Sequence, residues 1–269
     1  MLRKSDLIVG LRLALQARFL TICFWILVAQ VLIVAMAAQF SGRQPATVAL
    51  DIGVSFIRIA LPLVIVILSQ ELISKEFERR YFLTSLTYPR PRHHFYLGRA
   101  LVVFSLSVLL LAIMASVLAG MVALISADYA QATPVSLGNP YILTTAFIVV
   151  DLFVLTAVAS LFAVVASTPS FILVGTIGFM LVSRSYGDIV ALLNNQIGLV
   201  AHQEMYQDSL GVLGYLLPDL GALDIRMVSL YNTLEFLPSN WPAIIISTVA
   251  YALALTGLAL WILQRKRFS

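Results

Sequence analysis

Apolar residues along this chain fall into six runs of roughly twenty, the length that crosses a hydrocarbon core about 30 Å thick. They are Phe19–Phe40, Val54–Ile73, Ala100–Ile125, Tyr141–Ser167, a weaker run from Phe171, and Trp241–Leu263. The fifth is interrupted. Its continuous part, Phe171–Val182, is too short to cross, and Ser183-Arg184-Ser185-Tyr186-Gly187-Asp188 follows before apolar residues resume at Ile189. This predicts either a helix bent or broken near its outer end, with Arg184 and Asp188 placed to pair at i,i+4, or a re-entrant segment. Ahead of the first run, Leu7, Ile8, Leu11 and Leu15 recur at helical spacing among Arg3, Lys4, Arg12 and Gln16. The spacing predicts an amphipathic helix over residues 1–18 lying on the bilayer surface; a plain positively charged leader that sets topology reads equally well.

The expected fold is therefore an all-α membrane protein, one six-span domain over residues 1–269. It has an N-terminal interfacial helix, a cytoplasmic loop over 74–98 between the second and third spans, and an extracytoplasmic helical segment over 191–240. Composition agrees: 61% of the 269 residues are hydrophobic and 11% charged, against about 25% charged in a soluble domain. Ala35-Met36-Ala37 looks like a signal cleavage site, but the run before it is span-sized, so it is read as a span.

Charge sets the orientation. With both termini on one side, that side holds thirteen of the seventeen bases, including Arg3, Lys4, Arg79, Arg80 and Arg265, while the other side holds eight of the thirteen acids. The positive-inside rule makes the basic side cytoplasmic. Trp241 and Trp261, near the two ends of the last run, fit an interfacial aromatic belt. The basic tail suits anionic lipid rather than nucleic acid. Cys23 is the one cysteine, so neither an internal disulfide nor a thiolate metal site is expected. His93 and His94 are adjacent and point about 100° apart on a helix, which is no two-ligand face.

The loop is the wettest stretch. SQELISKEFERR extends the second span as a helix with Glu71, Glu76, Glu78, Arg79 and Arg80 on its wet surface. Pro89 and Pro91 then break it, and Pro91 is suited to start the next helix. The stretch Glu76-Phe77-Glu78-Arg79-Arg80-Tyr81, then Phe82 to Tyr88, Pro89, Arg92 and Leu97-Gly98-Arg99, resembles without a gap the second-span loop of ABC transporter permeases of the ABC-2 (type V exporter) kind. Tyr81 stands where that family usually has Thr, and Arg99 where it has Lys. The Glu-Arg-Arg form, with Leu217-Pro218-Asp219-Leu220 through Arg226, is most similar to the branch described as permeases for multicopper-enzyme maturation.

The resemblance implies half of a transport channel in a bacterial cytoplasmic membrane, paired as a homodimer. It also implies a separate cytoplasmic ATPase docked on a coupling helix through Glu76, Glu78, Arg79, Arg80, Tyr88, Pro89, Arg90 and Arg92. The phosphate-binding pattern needs a Gly-Lys pair, and Lys4, Lys75 and Lys266 follow Arg, Ser and Arg. ATP and Mg therefore belong on the partner, and no cofactor is expected in this chain. The alternative for the loop arginines is lipid-headgroup attraction with no partner; the interleaved acids and the motif favour the partner.

Within the spans, Asp151 and Arg58 lie at depths where ionisable groups cost several kcal/mol unless paired or watered. They either pair with each other or line a substrate path; Gln30 and Glu71 are weaker candidates of the same kind. Ala112, Ser116 and Gly120 form a small-residue stripe suited to close helix packing. Pro62 is expected to mark a kink. The segment from about Asn194 to Asn240 is expected to form short helices on the outer leaflet, as a lid or a cap. The competing functions are a membrane anchor that recruits an ATPase without transport, and an intramembrane enzyme built on Asp151 and Asp188. H-E-x-x-H and G-x-S-x-G are both missing. Few buried charges favour an amphipathic or lipidic cargo over a free ion.

Overall fold

The computed structural model describes residues 4–16, 18–75, 92–128, 135–166, 168–195 and 217–265. Among them no strand occurs, and six helices are long and apolar enough to cross a membrane. The chain is a multi-pass membrane protein. In order the helices are α1 (Lys4–Gln16), α2 (Phe19–Phe40), α3 (Pro45–Ser69), α4 (Arg92–Asp128), α5 (Asn139–Val165), α6 (Pro169–Asn195), the short α7 (Arg226–Tyr231) and α8 (Trp241–Arg265). α3 runs on into a π-helical turn, Gln70–Ser74. Six crossings place the start of α2 and the end of α8 at one end of the bundle, called here the near end; the far end holds the 41–44 turn and the described residues 217–240.

Local chemistry sets the breaks. Arg18 takes a left-handed conformation (φ 59°) between α1 and α2, which lets the chain turn from one helix axis to the other. Prolines open α3 and α6 and sit in the first turn of α5, positions whose amide would have no partner in the helix anyway. Asn232, also left-handed (φ 53°), ends α7. α1 does not stand apart from the bundle: Ala14 is fully buried, and a side-chain carbon on Gly10 would lie 2.9 Å from Val102 of α4. Ile8, Val9, Leu11 and Leu15 remain exposed.

α3 and α5 form the centre. Their most apolar windows are each 67% buried, against 17% for α2 and α8. α4 packs on α3 through Gly53, where a side-chain carbon would fall 2.2 Å from Leu118. Polar side chains tie the rest to α4: Gln30 of α2 donates to the Met114 carbonyl at 3.0 Å, and Tyr141 of α5 to the Ala115 carbonyl at 2.7 Å. At the near end, Gln70 donates to the Pro169 carbonyl at 2.8 Å.

Several expectations change. α3 begins nine residues before Val54, because Asp51 is held inside the helix by a countercharge. The fifth span is one continuous helix from Pro169 to Asn195, neither broken nor re-entrant. Its arginine finds a carboxylate on another helix, so the backbone need not unwind to solvate it. Residues 217–225 carry no helix, and only Arg226–Tyr231 and a turn at Leu234–Phe236 are helical in the described far-end segment before α8. The Ala112–Ser116–Gly120 stripe faces outward, with all three residues exposed, and Gly53 supplies the close helix contact instead. Residues 76–91, the centre of the expected coupling loop, and residues 196–216 lie outside the described residues.

Candidate functional site

Pro62 lies inside α3. Having no amide hydrogen, it leaves the carbonyl four residues earlier, that of Arg58, without its helical partner. Arg184 of α6 takes the place: its Nη1 donates to the Arg58 carbonyl at 3.0 Å, while its Nη2 sits 2.5 Å from Asp151 Oδ2 of α5. One guanidinium thus repairs the proline break and neutralises a carboxylate that is 1% exposed. Besides the expected kink, the local consequence of Pro62 is an acceptor that receives α6.

The Arg58 side chain continues the network. Its Nη2 lies 4.0 Å from Asp151 and donates to the Leu220 carbonyl at 3.4 Å, and its Nη1 pairs with Asp224. Asp224 also faces Arg226 Nε at 3.6 Å, and Arg226 Nη1 reaches Asp51 at 3.0 Å and Ser55 at 2.6 Å. The pairs form a ladder of alternating sign: Arg184, Asp151, Arg58, Asp224, Arg226, Asp51. Its six charges cancel. Side-chain exposure climbs from 1% at Asp151 through 8% at Arg58 and 29% at Asp224 to 42% at Asp51, so the ladder leads from the protein interior to its surface.

Non-helical backbone packed among apolar helices needs its polar groups satisfied by protein or water, and residues 217–225 meet that condition. The Leu220 amide donates to the Ser183 carbonyl of α6 at 3.1 Å and the Leu220 carbonyl accepts from Arg58. Thr144 of α5 donates to the Ile225 carbonyl at 3.5 Å, and the Ala222 amide caps on Asp219 Oδ1 at 3.1 Å. Leu220, Leu223 and Ile225 are buried. Two glycines permit the approach. A side-chain carbon on Gly221 would fall 2.6 Å from the Arg184 carbonyl, and one on Gly187 would fall 2.6 Å from Asp219.

A cleft of about 610 Å³ opens over this network, walled by Arg58, Arg184, Arg226, Asp219, Asp224 and Ser55, with Ile59 and Met227 beside them. Within it Arg184 Nε, and behind it Asp151 Oδ1, lack hydrogen-bond partners among the described residues. Such groups are costly in a low-dielectric interior unless water or a ligand serves them. No group of three or more His, Cys, Asp or Glu side chains among the described residues converges as metal ligands would; each carboxylate of the ladder faces a guanidinium.

Of the residues singled out from sequence, Arg58 and Asp151 lie together, but each has a nearer partner than the other. Arg184, expected to pair with Asp188, engages Asp151, because α6 turns it toward α5; the Asp188 side chain lies outside the described set. Gln30 is a tether between α2 and α4, away from the network. Glu71 pairs with Lys75 one turn on, at the near end. Glu76, Glu78, Arg79, Arg80, Tyr88, Pro89 and Arg90 lie outside the described residues, and Arg92 opens α4. Asp51, Asp219, Asp224 and Arg226 were not legible as site residues. A charge balance pointed toward them: two arginines stand at span depth beside one central aspartate, so a further carboxylate had to come from outside the spans. Compared with known proteins, the chain matches no family model and no curated sequence.

Proposed function

We propose that the chain is the permease subunit of an ABC transporter of the ABC-2 kind, a homodimer in a bacterial cytoplasmic membrane with both termini cytoplasmic. A separate ATPase, carrying ATP and Mg, binds the 74–98 loop and drives export. The observation that carries this reading is the pattern Glu76-Phe77-Glu78-Arg79-Arg80, Pro89, Arg92 and Leu97-Gly98-Arg99, set between the second and third of six apolar helices.

Helix length supports it. α3 with its π turn covers 30 residues and α4 covers 37, or about 45 and 55 Å at 1.5 Å per residue. Both exceed a hydrocarbon core of about 30 Å, the length expected of helices that carry a loop beyond the bilayer. α3 also carries Arg58 and Pro62. A displacement imposed on the loop by an ATPase therefore reaches the ladder through one continuous helix, and the Arg58–Asp224 pair joins that helix to the far-end segment.

Affinity purification of the tagged chain in mild detergent tests the reading. A stoichiometric P-loop ATPase is expected to accompany it, and the joint change of Arg79 and Arg80 to Glu is expected to release the ATPase while the chain stays inserted. A stable chain that purifies alone overturns the proposal and favours an intramembrane enzyme. An ATPase that binds but moves nothing across reconstituted vesicles leaves a membrane anchor.

A further inference from the structure

We infer that the cleft over the arginine–aspartate ladder binds the anionic headgroup of an amphiphile, with Asp224 as the counter-anion that the headgroup displaces. That this amphiphile is what the subunit moves rests on the permease reading; that it binds does not.

Three guanidiniums line the cleft, those of Arg58, Arg184 and Arg226, against two carboxylates, Asp219 and Asp224. Asp151 and Asp51 lie outside the lining but pair with Arg184 and Arg226, so the cluster as a whole has no cationic excess and an anion enters only by taking the place of a carboxylate. The two wall carboxylates differ. Asp219 accepts the Ala222 amide and sits against Gly187 and Gly221, fixed by the fold of its own segment. Asp224 bridges Arg58 and Arg226 and is 29% exposed. It occupies the place where a phosphate or carboxylate bridging two arginine forks would sit, a geometry that guanidinium planes favour.

The ligand's other half follows from the surface beside the cleft. Ile52, Ile59 and Leu63 are spaced by seven and four residues on α3, which puts them on one stripe of the helix, and all three are exposed, Ile59 by 58%. Met227 of α7, 43% exposed, joins Ile59 in the cleft wall. The stripe gives an acyl chain a path along α3 with its headgroup between Arg58 and Arg226, which a hydrophilic anion would not use.

The test is a titration of the purified full chain, without any ATPase, in neutral detergent. The probes are dihexanoyl phosphatidylglycerol, dihexanoyl phosphatidylcholine and inorganic phosphate, read by thermal shift and native mass spectrometry. The anionic lipid is expected to bind at least about tenfold tighter than the zwitterionic one, the difference a single charge-assisted hydrogen bond supplies. Arg226→Gln is expected to remove about that factor, with Arg226→Lys between the two. Asp224→Asn is expected to strengthen binding of the anionic lipid, because it deletes the competing carboxylate. A ladder that serves structure alone predicts a loss of stability with no gain in binding.

Equal affinity for the two lipids overturns the inference in the unmodified protein, whatever the variants do. Weaker anion binding by a folded Asp224→Asn chain overturns the exchange. Inorganic phosphate binding as tightly as the lipid assigns the cleft to the free anion and overturns the amphiphile. Because no ATPase enters the titration, its failure and a failed co-purification are separate results.

Discussion

α2 and α5 have the same mean hydropathy in their most apolar windows, 2.6, yet 17% of that window is buried in α2 and 67% in α5. Hydropathy puts a helix into a membrane but does not choose its place in the bundle, because lipid tails are as apolar as leucine. Polar side chains make the difference. α5 buries Thr144, Asp151, Thr156 and Ser160, whereas α2 buries only Gln30 among its polar residues. α3 and α8 repeat the contrast: α3 carries Asp51, Ser55 and Arg58, and the most apolar window of α8 is buried no more than that of α2. The carboxylate at the centre of the ladder and the arginine that bridges two of its carboxylates sit on the buried helices α5 and α3, whereas α6 supplies Arg184 from one side and stays 22% buried in its most apolar window.

The most severe way to break this comparison is to remove the charge that centres α5. Asp151→Asn keeps the side chain's shape but leaves Arg184 and Arg58 facing a neutral amide. Breaking a buried pair from one side costs about 3–5 kcal/mol, and denaturant or thermal unfolding in detergent micelles is expected to show a loss of that order. Arg184→Gln is expected to be similarly costly, and it also releases the Arg58 carbonyl that Pro62 left open. The double variant is expected to lose clearly less than the sum. Fully additive losses would mean that the two residues do not act as a pair, and the polar account of centrality would fall with it.

The same contrast explains what was legible in the sequence. Apolar runs gave the number of spans, and the limits of α2 are those of its run. Arg58 and Asp151 stood out because charge at span depth is rare. Their partners did not, since Asp224 and Arg226 lie in a segment with neither helical nor strand periodicity, far along the chain from Arg58 and Asp151. The segment reads as short helices on the outer leaflet, and nothing local says that residues 217–225 instead pack as non-helical chain against Arg58, Thr144 and Ser183. The pairing of Arg184 with Asp151 was hidden for the same reason. An i,i+4 partner can be read from spacing, while a partner on another helix depends on how the helices rotate against each other. Pro62 was visible, though its consequence, a carbonyl handed to α6, required knowing which helix lies opposite.

Glycine offers an intermediate test, since one substitution can be made on the inward and outward faces of neighbouring helices. Gly53→Ala places a methyl group 2.2 Å from Leu118 in a fully buried contact between α3 and α4. Overpacking of this kind costs about 1–3 kcal/mol. Gly120→Ala on the outward stripe of α4 meets no atom within 4 Å and gains helix propensity of up to about 1 kcal/mol. The expected result is opposite signs in the same unfolding assay. Equal effects would place Gly120 at a contact that the single chain does not contain.

The smallest effect is expected at the Gln30 tether of the rim helix. Gln30→Leu removes the 3.0 Å hydrogen bond to the Met114 carbonyl, and such interhelical bonds in membranes average about 0.6 kcal/mol. Part of even that is offset, because Gln30 Oε1 is buried without a hydrogen-bond partner and leucine removes its desolvation cost. Phe24→Leu, on a side chain of α2 that is 60% exposed, is the matched control and is expected to stay within about 0.5 kcal/mol. A Gln30→Leu loss as large as that of Asp151→Asn would show that a single neutral hydrogen bond can centre a helix as firmly as a charge ladder. Polar content would then no longer separate α2 from α5. A loss near that of the control leaves α2 held by packing alone, which is what a helix with 17% of its apolar window buried can supply.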